Sequence, residues 1–198
     1  MIFSYLEVRS DPSSISTRLP FTTEMATESE VVDQLHQRGQ CLCGCVKFEV
    51  DGKIIFNELC HCRACGRARG MTPVHLIGVK GDFKILQGQA KVKTVHGIGT
   101  MRHTICSDCG GGLYQRPEGK DFYATFPTSF RIESPVAEGV PSSFLPANLQ
   151  PHYHANYENR LYNFHDELPK YKAFPDSPRM TNEGQVMEEK PSTQLNPV

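Results

Sequence analysis

Several things are missing from this sequence, and each absence removes a class of function. No apolar run approaches the roughly 20 residues needed to span a bilayer, so no membrane partner is expected. Neither charge sign dominates: the formal net charge is −1 over 198 residues, which leaves no long-range field to collect nucleic acid or an acidic membrane. The one basic stretch, RACGRARG at 63–70, is too short to count as a nucleic-acid face, so nucleic acid is not an expected partner. There is no Gly-rich phosphate loop and no internal repeat. Glu7 and Asp11 stand where a secretory signal would place its basic and apolar regions, which disfavours export and makes a cytoplasmic location the expectation.

The most informative absence concerns cysteine. All eight cysteines lie between Cys41 and Cys109, and the remaining 129 residues have none. A disulfide framework belongs typically to small exported domains. Pairs at C-x-C and C-x-x-C spacing are poorly placed to bridge each other but suit two sulfurs gripping one ion. Buried reduced cysteines scattered through a core would not cluster in this way. Metal binding is the reading that the distribution supports.

The remaining composition points to one domain with many turns, given 14 prolines and 16 glycines. Residues 1–36 are rich in Ser, Thr and Glu without a sustained period and read as a flexible extension. Residues 176–198 are polar and read as a disordered tail, which leaves 37–175 as the folded domain. Within it, CVKFEV at 45–50 alternates like a strand, and Asp51-Gly52 reads as a hairpin turn. Further short strands are expected at 74–80, 82–88, 90–95, 101–106, 112–116 and 121–127, with Gly81 and Gly88 as punctuation. Such a series argues for a mainly β, antiparallel domain. A helical turn or two is expected after Cys62.

Two sulfur groups emerge from the spacing. Cys41 and Cys43 sit at the mouth of a strand, and Cys106 and Cys109 sit between two strands. Four thiolates from two turns form a closed tetrahedral zinc site that contributes folding energy. Cys60, Cys62 and Cys65 are compact enough for three sulfurs to reach one ion, and three protein ligands with an open position is how a catalytic zinc is built. Cys45 can approach either ion or serve as a small buried apolar residue, the second being favoured. His61 and His103 read as structural residues. The three histidines of PHYHANYENRLYNFH at 151–165 read as packing or as a pocket wall.

The segments GQCLCGCVKFEV, CHCRACGRARG and CSDCGGGLY, in this order, together resemble the glutathione-dependent formaldehyde-activating enzyme family, which includes the centromere protein V relatives. DELPKYKAFP at 166–175 is similar to the closing segment of many members. The resemblance spans about residues 39–175. It implies a zinc-binding β-tent fold with two zinc ions, one structural on Cys41, Cys43, Cys106 and Cys109 and one catalytic or exchangeable on Cys60, Cys62 and Cys65. It also implies a carbon–sulfur lyase that joins glutathione and formaldehyde into S-hydroxymethylglutathione, with a small-molecule thiol such as glutathione as partner. Arg63, Arg67 and Arg69 would then be either receivers for glutathione carboxylates or, for at least two of them, a solvated basic turn. The alternative to an enzyme is a non-catalytic, zinc-stabilised binding module related to centromere protein V.

Overall fold

The computed structural model describes residues 34–131 and 145–188. Ten strands form one sheet: β1 (Gln34–Gln40), β2 (Lys47–Cys60), β3 (Val74–Gln87), β4 (Val92–His96), β5 (Met101–Cys106), β6 (Gly112–Pro117), β7 (Tyr123–Thr125), β8 (Tyr153–Ala155), β9 (Lys170–Tyr171) and β10 (Arg179–Met180). The lateral order is β10-β9-β8-β2-β3-β7-β6-β5-β4, with β1 pairing β2 off this path. Among the described residues the single α-helix is α1 (Arg63–Arg69). None of the described helices is long and apolar enough to cross a membrane.

The mainly β class expected from the alternating pattern holds, with two differences. First, the sheet is mixed: β8 joins β2 in parallel, and β9 joins β8 in parallel. The chain travels a long way between β7 and β8, so β8 can enter in either direction, as a tight hairpin could not. Second, Asp51-Gly52 is not a turn and Gly81 does not end a strand. β2 and β3 run through both points, with Gly52 opposite Gly81. A Cβ on either glycine would strike the facing backbone, so these glycines permit close strand approach rather than reversal.

The described structure also runs past the expected 37–175 limits. Residues 34–36 belong to β1, paired with Asp51–Lys53, and β10 continues the sheet beyond Pro175, with Met180 also bridged to Val186. Residues 1–33 of the expected extension and 189–198 of the expected tail lie outside the described residues.

Alternation along the long central strands gives the sheet two working faces. Ile77 and Val79 point into the main core with Leu35, Phe48, Val50 and Leu113. Side chains of this size contribute about 1.5–3 kcal/mol each when fully buried. Leu76 points the other way, into a smaller cluster with Val74, Ala124, Phe126, Cys60 and Cys65. That second face carries a cavity lined by the Cys60, Cys62 and Cys65 side chains.

Candidate metal centres and active-site cavity

Two similar turns bring the first sulfur group together. After β1, Cys41 accepts from Gly44 N and donates to Val46 O; after β5, Cys106 accepts from Gly110 N and donates to Gly111 O. Gly44 (φ 74°) and Gly110 (φ 70°) take the left-handed conformation that closes each turn. The sulfurs of Cys41, Cys43, Cys106 and Cys109 all lie within 4.8 Å of one another. Cys41–Cys43 is 3.5 Å and Cys43–Cys106 is 3.9 Å, close to the edge of about 3.8 Å implied by a tetrahedron with zinc–sulfur bonds of about 2.3 Å. Backbone N–H groups of Val46 and Gly111 point at Cys41 Sγ and Cys109 Sγ, at 3.3 and 3.4 Å. Cys41 and Cys106 are part of the main core, which ties this group to the stability of the domain.

The second group forms where β2 hands over to α1. Cys60 is the last residue of β2, Cys62 is the N-cap of α1, and Cys65 lies in its first turn. The three sulfurs lie within 4.8 Å of one another, with Cys60–Cys65 at 3.8 Å. Hydrogen bonds from the Cys60 and Cys65 thiols, then backbone N–H groups of Cys65 and Ala64, hold the Cys62 thiol down to about 2. Cys60 is pushed strongly upward, first by its bonds to Cys62 and Cys65 and then by burial. Cys62 is therefore the sulfur that ionises first, and an ion would displace the protons of the other two. Asn156 Nδ2 and Gln115 Nε2 approach Cys60 Sγ and Cys65 Sγ at 3.7 and 3.6 Å, contacts that orient ligands around a metal.

All three of these sulfurs line one cavity of about 300 Å³. Sheet register explains its floor. One lateral row is Tyr153, Glu58 and Leu76 on β8, β2 and β3; the next is Phe56, Gly78, Ala124 and Gln115 on β2, β3, β7 and β6. Phe122 packs edge-on against Phe56, and Phe174 also lines the cavity. Burial pushes the Glu58 carboxyl up to about 7, partly offset by a hydrogen bond with Tyr153. Burial, with Glu58 nearby, also raises the Tyr153 hydroxyl. Cys41, from the four-sulfur group, borders a different cavity.

Other sequence candidates fall elsewhere. Cys45 is exposed rather than the buried apolar residue expected from its type, because it lies on the outward side of the turn after Cys43, and it joins neither sulfur group. Arg63, Arg67 and Arg69 line other cavities, one of which Arg63 and Arg67 share with Cys62, and none lines the cavity common to the three sulfurs. Arg69 lies 4.1 Å from the centre of the Phe126 ring and 3.4 Å from His103 Nδ1.

A buried polar chain stands behind the Cys60–Cys62 segment. His61, 1% exposed, bonds through Nε2 to His154 Nδ1 at 2.8 Å, and His154 Nε2 donates to Asp166 Oδ2 at 2.9 Å. Lys170 Nζ donates to Asp166 Oδ1 at 2.6 Å. The carboxylate only accepts, so His154 Nδ1 accepts in turn and His61 Nε2 carries the proton. Burial, then the His154 and Arg160 charges, lowers His61 to about 4, which keeps it neutral. Sequence reasoning misses this chain; only the i,i+4 spacing of Asp166 and Lys170 hints at it. Glu58 had a clearer signal, since alternation back from Cys60 places Glu58 and Phe56 on the same face.

Together these features define a mainly β protein with one closed and one cavity-facing thiol cluster, both suited in donor type and spacing to hold a metal ion such as zinc. The sequence pattern of the family described as glutathione-dependent formaldehyde-activating enzyme matches residues 36–135. The chain belongs to this family. No curated protein matches it. Among solved structures, a crystal structure of a Rhodobacter sphaeroides protein, a structural-genomics target, is similar at 21% identity. That match covers 52% of this chain and 90% of the other, with a TM-score of 0.38.

Proposed function

We propose that this chain is a zinc-dependent carbon–sulfur lyase acting on the adduct of a thiol and a small aldehyde, glutathione with formaldehyde being the pair after which its family is described. The observation that carries this reading is the placement of Cys60, Cys62 and Cys65 together on a cavity large enough for a small organic molecule. Cys41, Cys43, Cys106 and Cys109, by contrast, would hold a structural ion within the core.

A zinc ion on the three sulfurs would keep a fourth position at which a substrate thiol is favoured as thiolate. In the forward direction the sulfur lone pair attacks the aldehyde carbon, the C–S bond forms, the C=O double bond becomes a hydroxyl, and the thiol proton ends on that oxygen. The reverse step breaks the same bond and returns the proton to sulfur. The chain's own contribution is positional. Asn156 and Gln115 orient Cys60 and Cys65, the His61–His154 pair fixes the backbone between Cys60 and Cys62, and the aromatic walls exclude water.

The test is to load the protein with zinc, mix formaldehyde with several thiols of different polarity, and follow adduct formation and exchange by NMR. Acceleration for at least one thiol is expected, with its loss in a Cys62→Ser variant that stays folded. No acceleration for any thiol, or full activity in folded Cys62→Ser, defeats the proposal. An unfolded Cys62→Ser protein would favour the alternative, a binding module in which both ions are structural.

A further inference from the structure

Resting on that reading of the three-sulfur cavity, we propose that its substrate is the adduct of a small, apolar thiol lacking carboxylates, rather than an adduct of glutathione. The walls are Phe56, Leu76, Met101, Pro117, Phe122 and Phe174. Among the described residues no Lys, Arg or His lines the cavity. Apart from the thiols, the ionisable side chains there are Glu58 and Tyr153, both acids.

Glutathione brings carboxylates on both of its arms. Each would leave water for an apolar wall with no cation among the described residues to receive it, and burying an unpaired ion is strongly unfavourable. Charge sign adds to this penalty. Three thiolates around a divalent zinc would leave a net negative centre, so an anionic partner is repelled while a neutral one is not. Among the described residues the nearby arginines line neighbouring cavities and not the one that all three sulfurs share. Arg67 and Arg69 border a groove of about 540 Å³ with His96 and His103, and Arg63 and Arg67 border a cavity of about 130 Å³ with Cys62 and His61.

The cavity also has a direction. Glu58, Tyr153 and Asn156 form a polar end beside the sulfurs, where the adduct hydroxyl can donate to Glu58. The aromatic walls, Phe56, Phe122 and Phe174, take an aromatic or branched body. Tyr153, Asn156 and Phe174 lie beyond residue 135, where the family pattern ends, so part of this selectivity is built outside that pattern.

The test uses the full chain with cobalt(II) in place of zinc, and reads thiolate-to-cobalt charge-transfer absorbance as thiols are added. The probes are benzyl mercaptan, glutathione, and the matched pair N-acetylcysteine and its methyl ester. Benzyl mercaptan should saturate the spectrum at a concentration at least about tenfold below glutathione, and the ester should bind at least about tenfold more tightly than the acid. Phe174 is 53% exposed, so Phe174→Ala should fold; it should weaken benzyl mercaptan by roughly tenfold and leave glutathione unchanged. Glutathione binding as tightly as benzyl mercaptan, an acid as good as its ester, or a preference unaltered by Phe174→Ala each overturns the inference while leaving the thiol site intact. Cobalt bound to both sulfur groups with no response to any thiol overturns the underlying reading as well.

Discussion

Replacing Asp166 with alanine should cost about 3–4 kcal/mol of stability and loosen the three-sulfur site. Lys170 is only 2% exposed, and its ammonium donates to Asp166 Oδ1, Asp166 O and Leu168 O at 2.6, 3.0 and 2.9 Å. The same carboxylate accepts from His154 Nε2 and from Leu168 N. Truncation would leave a buried cation without its counter-ion, a loss of about 3–5 kcal/mol. It would also leave His154 Nε2–H without its partner, worth about 1 kcal/mol. The Asp166 side chain is 39% exposed, so entering water offsets part of both, which sets the figure near the lower bound. Lys170→Met removes the cation and leaves Asp166 reachable by water, so it should cost only about 1–2 kcal/mol. In the double variant the two losses should fall short of additivity by at least about 1.5 kcal/mol. Urea unfolding of the zinc-loaded full chain measures all three, and chelator-driven release of the more labile ion measures the site. A loss below about 1 kcal/mol for Asp166→Ala, or strict additivity, would refute the energetic argument. Normal ion release in a clearly destabilised variant would refute the link through His154 and His61.

The two sulfur groups should respond differently to loss of a ligand. Cys106→Ser should abolish cooperative folding, because apparent structural-zinc binding energies of about 10–16 kcal/mol are as large as a domain's whole stability; circular dichroism and elemental analysis would show it. Cys62→Ser, which retains an N-cap oxygen, should keep the fold and lose one metal equivalent. Burial, and then His152, lowers His75 to about 4 from an ordinary 6.5. On acidification the unfolded chain therefore takes up this proton first, so stability is full above about pH 6.5 and falls towards pH 4, by at most about 3 kcal/mol and less for a partly exposed ring. Urea midpoints at pH 7 and 5 should differ less in His75→Gln, which can still bond Asn57 Oδ1; an unchanged difference would count against this assignment. Gly78→Ala would place a Cβ against the Phe56 ring and displace it from the cavity wall. About 1–3 kcal/mol of destabilisation and weaker binding of benzyl mercaptan are expected, read by melting and by cobalt absorbance.

The legible parts of this molecule are those fixed by short-range pattern. Cysteine spacing alone separates seven sulfurs into the two sets that meet in space, because each set is supplied by tight turns or by one strand end and the following helix cap. MRHTIC at 101–106 coincides with β5, a short strand with glycine-marked turns on either side. Asp51-Gly52 misleads because the same dipeptide that favours a turn also permits backbone contact, and only the facing Gly81, 29 residues away in sequence, decides between them. The cavity wall is harder still. Tyr153 meets Glu58 through a three-residue parallel strand, and His154 meets His61 across 93 positions; neither contact leaves a local period to read.

The chain divides its labour unequally between the family-matched part and the residues C-terminal to it. Residues 36–135 supply all seven sulfurs of the two groups, together with Glu58 and Gln115. The later residues supply Tyr153, Asn156 and Phe174 at the cavity, and His154, Asp166 and Lys170 behind it. β8 joins these two roles. On one edge it pairs Ala155 with Cys60 and accepts the His61 N–H at 2.9 Å, while its own Tyr153 lies beside Glu58 in the cavity. A displacement of β8 therefore changes both the shape offered to a substrate and the backbone that presents two of the three sulfurs. On the proposed function, substitutions at 153–174 would retune which thiol is accepted without touching a sulfur, whereas those that break the Asp166–Lys170 brace would weaken metal retention too. On the same proposal, proteins sharing the cysteine pattern but differing in this later segment should share the bond-forming chemistry and differ in the thiol they accept.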